Sequence, residues 1–119
     1  MFAKVALFAS AILVGGVSAY NGLAYPYNPS GHTFECGVPN NANVVFVSAA
    51  RFDATLCGHR IQASSPYGLG DTIYPTLAGV VRCNNCSVND IQLTQTSYKA
   101  LTKNLPGQPY ASVVWVNWN

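Results

Sequence analysis

Hydrophobic residues occur along the chain in short runs of strand length, and in the last of these runs they follow the two-residue period of a β-strand. The segment from Tyr110 to Trp118 shows this best, because even-numbered residues fall on one face and odd-numbered residues on the other, with large apolar side chains on both. We expect Trp115 to lie in the core and Trp118 at the surface. The pattern predicts a mainly β domain with strands over residues 43–50, 59–63, 72–82, 90–93 and 110–118.

One segment has the period of a helix instead. Between Thr94 and Thr102, Tyr98 and Leu101 fall on a common face, and the Leu-Pro-Gly sequence of residues 105–107 stops the helix. The hydroxyl of Thr94 is expected to accept hydrogen bonds from the first backbone amides of this helix.

The N-terminal segment differs in composition from the rest of the chain. Lys4 precedes an apolar run from Val5 to Val14, and small residues follow up to Ala19. This order predicts a secretory signal peptide over residues 1–19. The run is shorter than the roughly 20 apolar residues of a membrane span, so no membrane association is expected after cleavage. The protein is predicted to be extracellular.

Residues 20–30 hold three tyrosines and two prolines. Proline lacks a backbone donor and restricts the residue before it, so we predict an irregular N-terminal arm here. The remaining residues, 31–119, have a length suited to one compact domain.

Charged residues make up only 8% of the chain, and the formal net charge is +2, or +1 once Lys4 is removed. A nucleic-acid-binding protein needs a basic stripe to neutralise phosphates, and none is visible. No cofactor-binding motif stands out. We predict a protein without cofactor that does not bind nucleic acid.

The four cysteines, Cys36, Cys57, Cys83 and Cys86, all follow the predicted signal peptide. An even number in a secreted chain predicts two disulfides with three possible connectivities. A zinc site is not expected, because a second Cys-x-x-Cys is missing. Asn85 begins an Asn-Cys-Ser sequon and is a candidate glycosylation site.

Residues 79–101 read GVVRCNNCSVNDIQLTQTSYKAL, and residues 57–61 read Cys-Gly-His-Arg-Ile. Together with Val-Val-Trp at residues 113–115, these sequences resemble the signature of secreted double-psi β-barrels of fungal type. That superfamily includes RlpA-like, barwin-like and expansin-like domains. The resemblance implies a six-stranded double-psi β-barrel with one or two short helices, braced by disulfides.

The same resemblance bears on the cysteines. Similarity to barwin-like domains suggests the pair Cys36–Cys57, which leaves Cys83–Cys86. In the competing arrangement, the Cys-x-x-Cys turn is bonded to Cys36 and Cys57 instead.

The departures from the family signature concern acids. The family has an aspartate before the arginine, where this chain has Val81, and the second aspartate of its Asp-Leu-Asp-Leu sequence is Gln92. An amide does not titrate and does not protonate a glycosidic oxygen, whereas hydrolysis normally uses two carboxylates. Asp90 remains as a candidate acid, although a structural role closing the turn 87–90 is favoured.

We therefore predict a non-catalytic binding protein, a monomer. Its partner would be cell-wall polysaccharide or, in an effector-like role at the host–microbe interface, a secreted or host protein. The candidate binding residues are Tyr67, Tyr74, Asp90, Gln92, Tyr110 and Trp118. One alternative is a protease inhibitor that resembles a microbial papain inhibitor and uses the loop 63–70. A second alternative is weak glycan cleavage by Asp90.

Overall fold

A computed structural model describes residues 19–27, 34–37, 43–68, 70–81, 83, 85–103 and 109–118. Within these ranges the protein is mainly β with one α-helix, as predicted. The elements are β1 (Tyr20–Tyr27), β2 (Val44–Val47), a 3-10 helix (Ala54–Leu56), β3 (Ile61–Ser64), β4 (Thr76–Val80), β5 (Ile91–Thr94), α1 (Gln95–Leu101) and β6 (Ala111–Asn117).

The strands form one curled six-stranded sheet in the order β3–β6–β1–β5–β2–β4. β1 runs parallel to β5 and β2 parallel to β4, while the other neighbouring pairs are antiparallel. The two edges meet through the bridges Arg60–Thr76 and Ala63–Ile73. Because the sheet closes on itself in this way, β3 and β5 lie three strands apart in either direction, on opposite sides of the barrel.

Strand alternation explains how the core is filled. Residues on the inner face are almost completely buried, and each buried aliphatic or aromatic side chain contributes roughly 1.5–3 kcal/mol. Trp115 is 1% exposed and Trp118 is 48% exposed, which confirms the prediction for both. The core cluster comprises the strand residues Ala24, Val45, Val47, Ile61, Ala63, Leu77, Ile91, Leu93, Val113 and Trp115, together with Tyr98 and Leu101 of α1.

The prediction of an irregular arm is wrong for residues 20–27, which form β1 between β5 and β6. Pro26 suggested a break, because proline removes a ladder hydrogen bond from a central strand. In the structure β6 pairs with β1 only as far as Ala24, so Pro26 lies where β5 is the remaining neighbour. A proline is tolerated there because that edge of β1 is no longer paired with β6.

The predicted helix is present as α1, one residue shorter at each end. Thr94 is its N-cap residue, but the Thr94 side chain makes no capping hydrogen bond, contrary to expectation. The helix is instead held by burial of Ser97, Tyr98 and Leu101 against the barrel. Packing therefore replaces capping as the main support of this helix.

Both disulfides have the connectivity that the resemblance suggests. Cys36 is bonded to Cys57, with 5.1 Å between their Cα atoms, and Cys83 is bonded to Cys86, at 5.6 Å. The first joins the segment before β2 to the turn before β3. The second closes the loop that leads into β5.

Several predictions concern residues outside the described ranges: the signal peptide except Ala19, the part of the arm after Tyr27, and Arg82. No helix in the described residues is long and apolar enough to cross a membrane. The described residues also contain no cluster of three or more metal-ligating side chains.

Candidate functional site

A row of polar and aromatic side chains crosses the outer surface of the barrel at β1 and β5. Tyr25 and Gln92 are register partners, and Gln92 is paired on its other side with Phe46 of β2. The ring of Tyr110, just before β6, lies 5.7 Å from the ring of Tyr25. We call Tyr25, Gln92 and Tyr110 the glutamine face. Tyr110 is 50% exposed, whereas Tyr25 and Gln92 are half-buried.

Asp90 immediately precedes β5, two residues before Gln92, but it is only 3% exposed. The backbone amide of Leu23 donates to Asp90 Oδ1 at 2.9 Å, and that of Ser87 donates to Oδ2 at 2.8 Å. The Asp90 amide in turn donates to the Ser87 carbonyl at 3.0 Å. Asp90 therefore closes the 87–90 turn and ties it to β1. Both carboxylate oxygens are engaged by backbone, which argues against the role of Asp90 as a proton donor.

The turn next to the glutamine face is held from several sides by Asn89. The indole Nε1 of Trp115 donates to the Asn89 carbonyl at 2.8 Å, and Arg51 Nε donates to Asn89 Oδ1 at 2.9 Å. Gly22 approaches so closely that a Cβ atom there would overlap the Asn89 carbonyl. The guanidinium of Arg51 also stacks 4.2 Å from the centre of the Tyr20 ring. These contacts hold the turn that precedes β5, and thereby the start of the strand that carries Gln92.

Tyr25 has the clearest electrostatic perturbation on this face. Its pKa is raised, first by burial, then by the negative charge of Asp90 and by Tyr110. A tyrosine phenol is protonated at neutral pH in any case, and the shift extends its neutral form to higher pH. The face thus presents phenol hydroxyls and a carboxamide, groups that donate and accept hydrogen bonds without carrying charge.

Tyr110 also borders a small depression of about 190 Å³. Leu23 and Leu101 form part of its apolar lining, and the strongly exposed Tyr67 stands at its rim. The turn carrying Tyr67 is closed by the Gly68 amide, which donates to the Ser65 carbonyl at 3.1 Å. Tyr67 and Tyr110 are therefore brought together, as their joint prediction as binding residues requires.

Glu35 lies over β4, on the far side of β2 from the glutamine face. Its carboxylate lies over Gly79, where a Cβ atom would overlap it, and Oε1 accepts a hydrogen bond from the Val80 amide at 3.0 Å. Gly79 is the register partner of Phe46. Glu35 is thus engaged over β4, two strands away from Gln92.

The two other acids serve local structure. Asp53 accepts hydrogen bonds from the hydroxyl and the amide of Thr55, which lower its pKa in that order. Asp71 forms an exposed ion pair with Lys103 at 3.1 Å. With Asp90 and Glu35 held by backbone amides, the four acids of the chain are engaged at four separate places.

The structure does not bring all the predicted binding residues to one surface. The rings of Tyr74 and Trp118 contact each other in a tilted arrangement, with centroids 5.4 Å apart, beside β3. That strand lies on the opposite side of the barrel from β5. The candidate residues therefore divide between two faces.

Tyr25 is not among the predicted site residues, because the sequence predicts an irregular arm over residues 20–30. A strand could have been predicted here from the alternation of large residues at 23, 25 and 27 with small residues or proline at 22, 24 and 26. Asn85, the candidate glycosylation site, is exposed within the disulfide loop. Its glycosylation stays a prediction.

Neither protein-family models nor curated protein sequences give a match to this chain. Solved structures do. The crystal structure of apo Clavibacter michiganensis expansin superposes with a TM-score of 0.67 and 22% identity, over 86% of this chain and 51% of the expansin chain. A mutant of the same expansin in complex with cellohexaose gives a TM-score of 0.63 at 22% identity, with the same coverage. The chain spans about half the length of these expansins. It has an expansin-like double-psi β-barrel fold, the architecture that the sequence signature implied.

Proposed function

We propose that this chain is a secreted, non-catalytic domain that binds cell-wall polysaccharide through the glutamine face. The observation that carries the proposal is the row formed by Tyr110, Tyr25 and Gln92. It offers an exposed aromatic ring for the apolar side of a sugar and uncharged hydrogen-bonding groups for its hydroxyls. The cellohexaose complex of an expansin with the same fold supports a β-linked glucan as ligand.

The chemistry of the same row supports binding without cleavage. Gln92 does not titrate, and both oxygens of Asp90 accept hydrogen bonds from backbone amides. A glycosidase of the usual kind needs one carboxyl group that donates a proton and a second that acts as base or nucleophile. We infer that the face holds a glycan chain and leaves its bonds intact.

The proposal is tested by titrating the secreted protein with cellohexaose in a calorimeter and by retention on microcrystalline cellulose. Tyr110→Ala is expected to weaken binding about tenfold, because loss of one aromatic contact costs about 1.4 kcal/mol. Gln92→Ala should also weaken binding, since it removes the amide hydrogen bonds. Val88→Ala is the matched control, because it truncates an exposed apolar side chain outside the row.

Retention no better than that of an unrelated secreted protein would contradict the proposal, as would wild-type affinity in both face variants. Release of reducing ends from the glucan would favour the alternative of weak cleavage. Inhibition of papain by micromolar protein would favour the inhibitor alternative and its loop 63–70. An effector-like role on a host protein remains part of the prediction and needs a partner to be identified by cross-linking.

A further inference from the structure

A second set of exposed side chains lies on the opposite side of the barrel, on the outer surface of β3 and its two neighbours. Ile61 and Ala63 point into the core, so strand alternation turns Arg60 and Gln62 outward. Gln62 is the register partner of Val116 in β6. Arg60 bridges Thr76 on the β4 side, while its carbonyl accepts from the Trp118 amide at 2.9 Å on the β6 side.

Two aromatic rings flank this strand. Tyr74 precedes β4 and Trp118 follows β6, and their rings meet across β3 at an interplanar angle of 57°. Tyr74 is 40% exposed, so both rings keep a surface open to solvent. Gln62 Nε2 donates to the Tyr74 hydroxyl at 3.2 Å, which positions one ring. We call Arg60, Gln62, Tyr74 and Trp118 the arginine face.

The charge on this face is positive and is not balanced by an acid. All four acids of the chain are engaged elsewhere, as described above, and none lies on β3 or on the neighbouring outward positions. The cations Arg51 and Lys103 have partners in Asn89 and Asp71. The guanidinium of Arg60 makes no hydrogen bond or ion pair within the described part of the chain. An exposed arginine with no acid beside it favours an anionic partner.

A shallow depression adjoins the aromatic pair at the Arg60 end of the face. Cys57, Gly58, His59, Arg60 and Thr76 line it. The Cys36–Cys57 disulfide fixes this end of the face, and Gly58 adopts a positive φ of 81° that shapes the turn. The position of Arg60 is therefore held by the disulfide-linked turn before it and by the pairing of its backbone with the neighbouring strands.

We propose that the arginine face is a second polysaccharide site and that it takes a chain carrying carboxylates, of the uronic-acid class. Arg60 forms a bidentate pair with a uronate carboxylate, and Tyr74 and Trp118 pack on neighbouring sugar rings. The two faces share no residue and lie on opposite sides of the barrel. Binding at the arginine face needs no residue of the glutamine face, and only the joining of two polysaccharides by one protein rests on the function proposed above for the glutamine face. This second site does not depend on the function proposed for the first.

The test is a titration with oligogalacturonate at low salt. Wild-type protein is expected to bind, and Arg60→Gln to bind about tenfold more weakly, the effect of losing one charge-assisted hydrogen-bonded pair. Trp118→Ala should weaken binding similarly, and Arg60→Lys should restore part of the affinity. Lys99→Gln is the matched control, because it removes an exposed cation on α1, away from the face. Thermal melts of each variant establish that it is folded.

Four results would overturn the proposal. They include wild-type affinity in Arg60→Gln, a loss of affinity in Lys99→Gln as large as that in Arg60→Gln, and equally tight binding of methyl-esterified oligogalacturonate, which is neutral. A dimer in sedimentation that Trp118→Ala dissociates would assign the face to a second copy of the chain instead. Because these readouts use an acidic glycan, they are separate from the cellohexaose titration, which tests the glutamine face.

Discussion

The glutamine face and the arginine face are built by different means on the same barrel. Next to the glutamine face, a turn is held by contacts between distant segments, chiefly those made by Asp90 and Asn89. The arginine face follows directly from strand register, because β3 alternates inward and outward between two neighbours. The first face should therefore be sensitive to changes in buried hydrogen bonds, and the second to the exposed side chains themselves.

The largest change in unfolding free energy is expected from removal of the disulfides. Replacing Cys36 and Cys57 by serine opens a loop with a sequence separation of 21 residues, against 3 for Cys83 and Cys86. Loop-closure entropy predicts a loss of about 3 kcal/mol in unfolding free energy for the first double variant and about 2 kcal/mol for the second. Urea denaturation of both variants measures this. Equal losses of unfolding free energy, or a larger loss for the Cys83–Cys86 variant, would contradict the prediction that the Cys36–Cys57 disulfide stabilises the protein more.

A single buried carboxylate should come next. Asp90→Asn places an amide NH₂ against a backbone N–H that now donates to a carboxylate oxygen, so we expect a loss of about 2 kcal/mol in unfolding free energy. Asp53→Asn is the matched control, because asparagine caps a helical turn as well as aspartate does. Its stability should stay within about 0.5 kcal/mol of wild type. A neutral Asp90→Asn variant would contradict the proposed anchoring of the glutamine face.

Alkaline pH should affect the glutamine face through Tyr25. The pKa of Tyr25 is raised in the folded protein, mainly by burial, so the neutral phenol is favoured by folding. This contribution is fully present below the unfolded-state pKa of about 10 and is lost as the pH rises further. Tyr25→Phe should make the decline of the melting temperature above pH 10 shallower. Part of the decline in melting temperature should persist in this variant, because burial also raises the pKa values of Tyr27 and Tyr98.

The smallest effect is expected from replacing Gln92 by the aspartate of the signature that the sequence resembles. Gln92→Asp places a carboxyl group on the glutamine face, but its neighbour Asp90 stays committed to two backbone amides. We expect no release of reducing ends from cellulose or peptidoglycan by this variant, because a second available carboxylate is missing. Appearance of cleavage would mean that Asp90 or Glu35 does act as the partner acid.

Much of the fold was predictable from the chain alone. Apolar runs of strand length, with period-two alternation in the last of them, located five strands and the burial of Trp115, and the Cys-x-x-Cys and Asp90–Leu93 sequences indicated the barrel. The sequence does not predict β1, because Pro26 argues against a central strand. Only the strand pairing in the structure shows that β6 is paired with β1 as far as Ala24 and no longer at Pro26.

The candidate site was predictable in its residues but not in its arrangement. The pairing of strands distant in sequence decides which side chains share a face, and that pairing placed Tyr25 beside Gln92 and moved Tyr74 and Trp118 to the far side. The burial of Asp90 depends on the Leu23 amide, 67 residues away, which no local pattern records.

The central claim is that two opposite faces hold two different polysaccharides at once. It is tested most directly by mixing cellulose with soluble polygalacturonate and measuring the uronate retained on the solid with and without the protein. The account predicts protein-dependent retention that Arg60→Gln and Tyr110→Ala each reduce about tenfold at limiting protein, although Tyr110→Ala binds polygalacturonate in solution as tightly as wild type. Competition between cellohexaose and oligogalacturonate for one site, with no retention of polygalacturonate on cellulose, would contradict it.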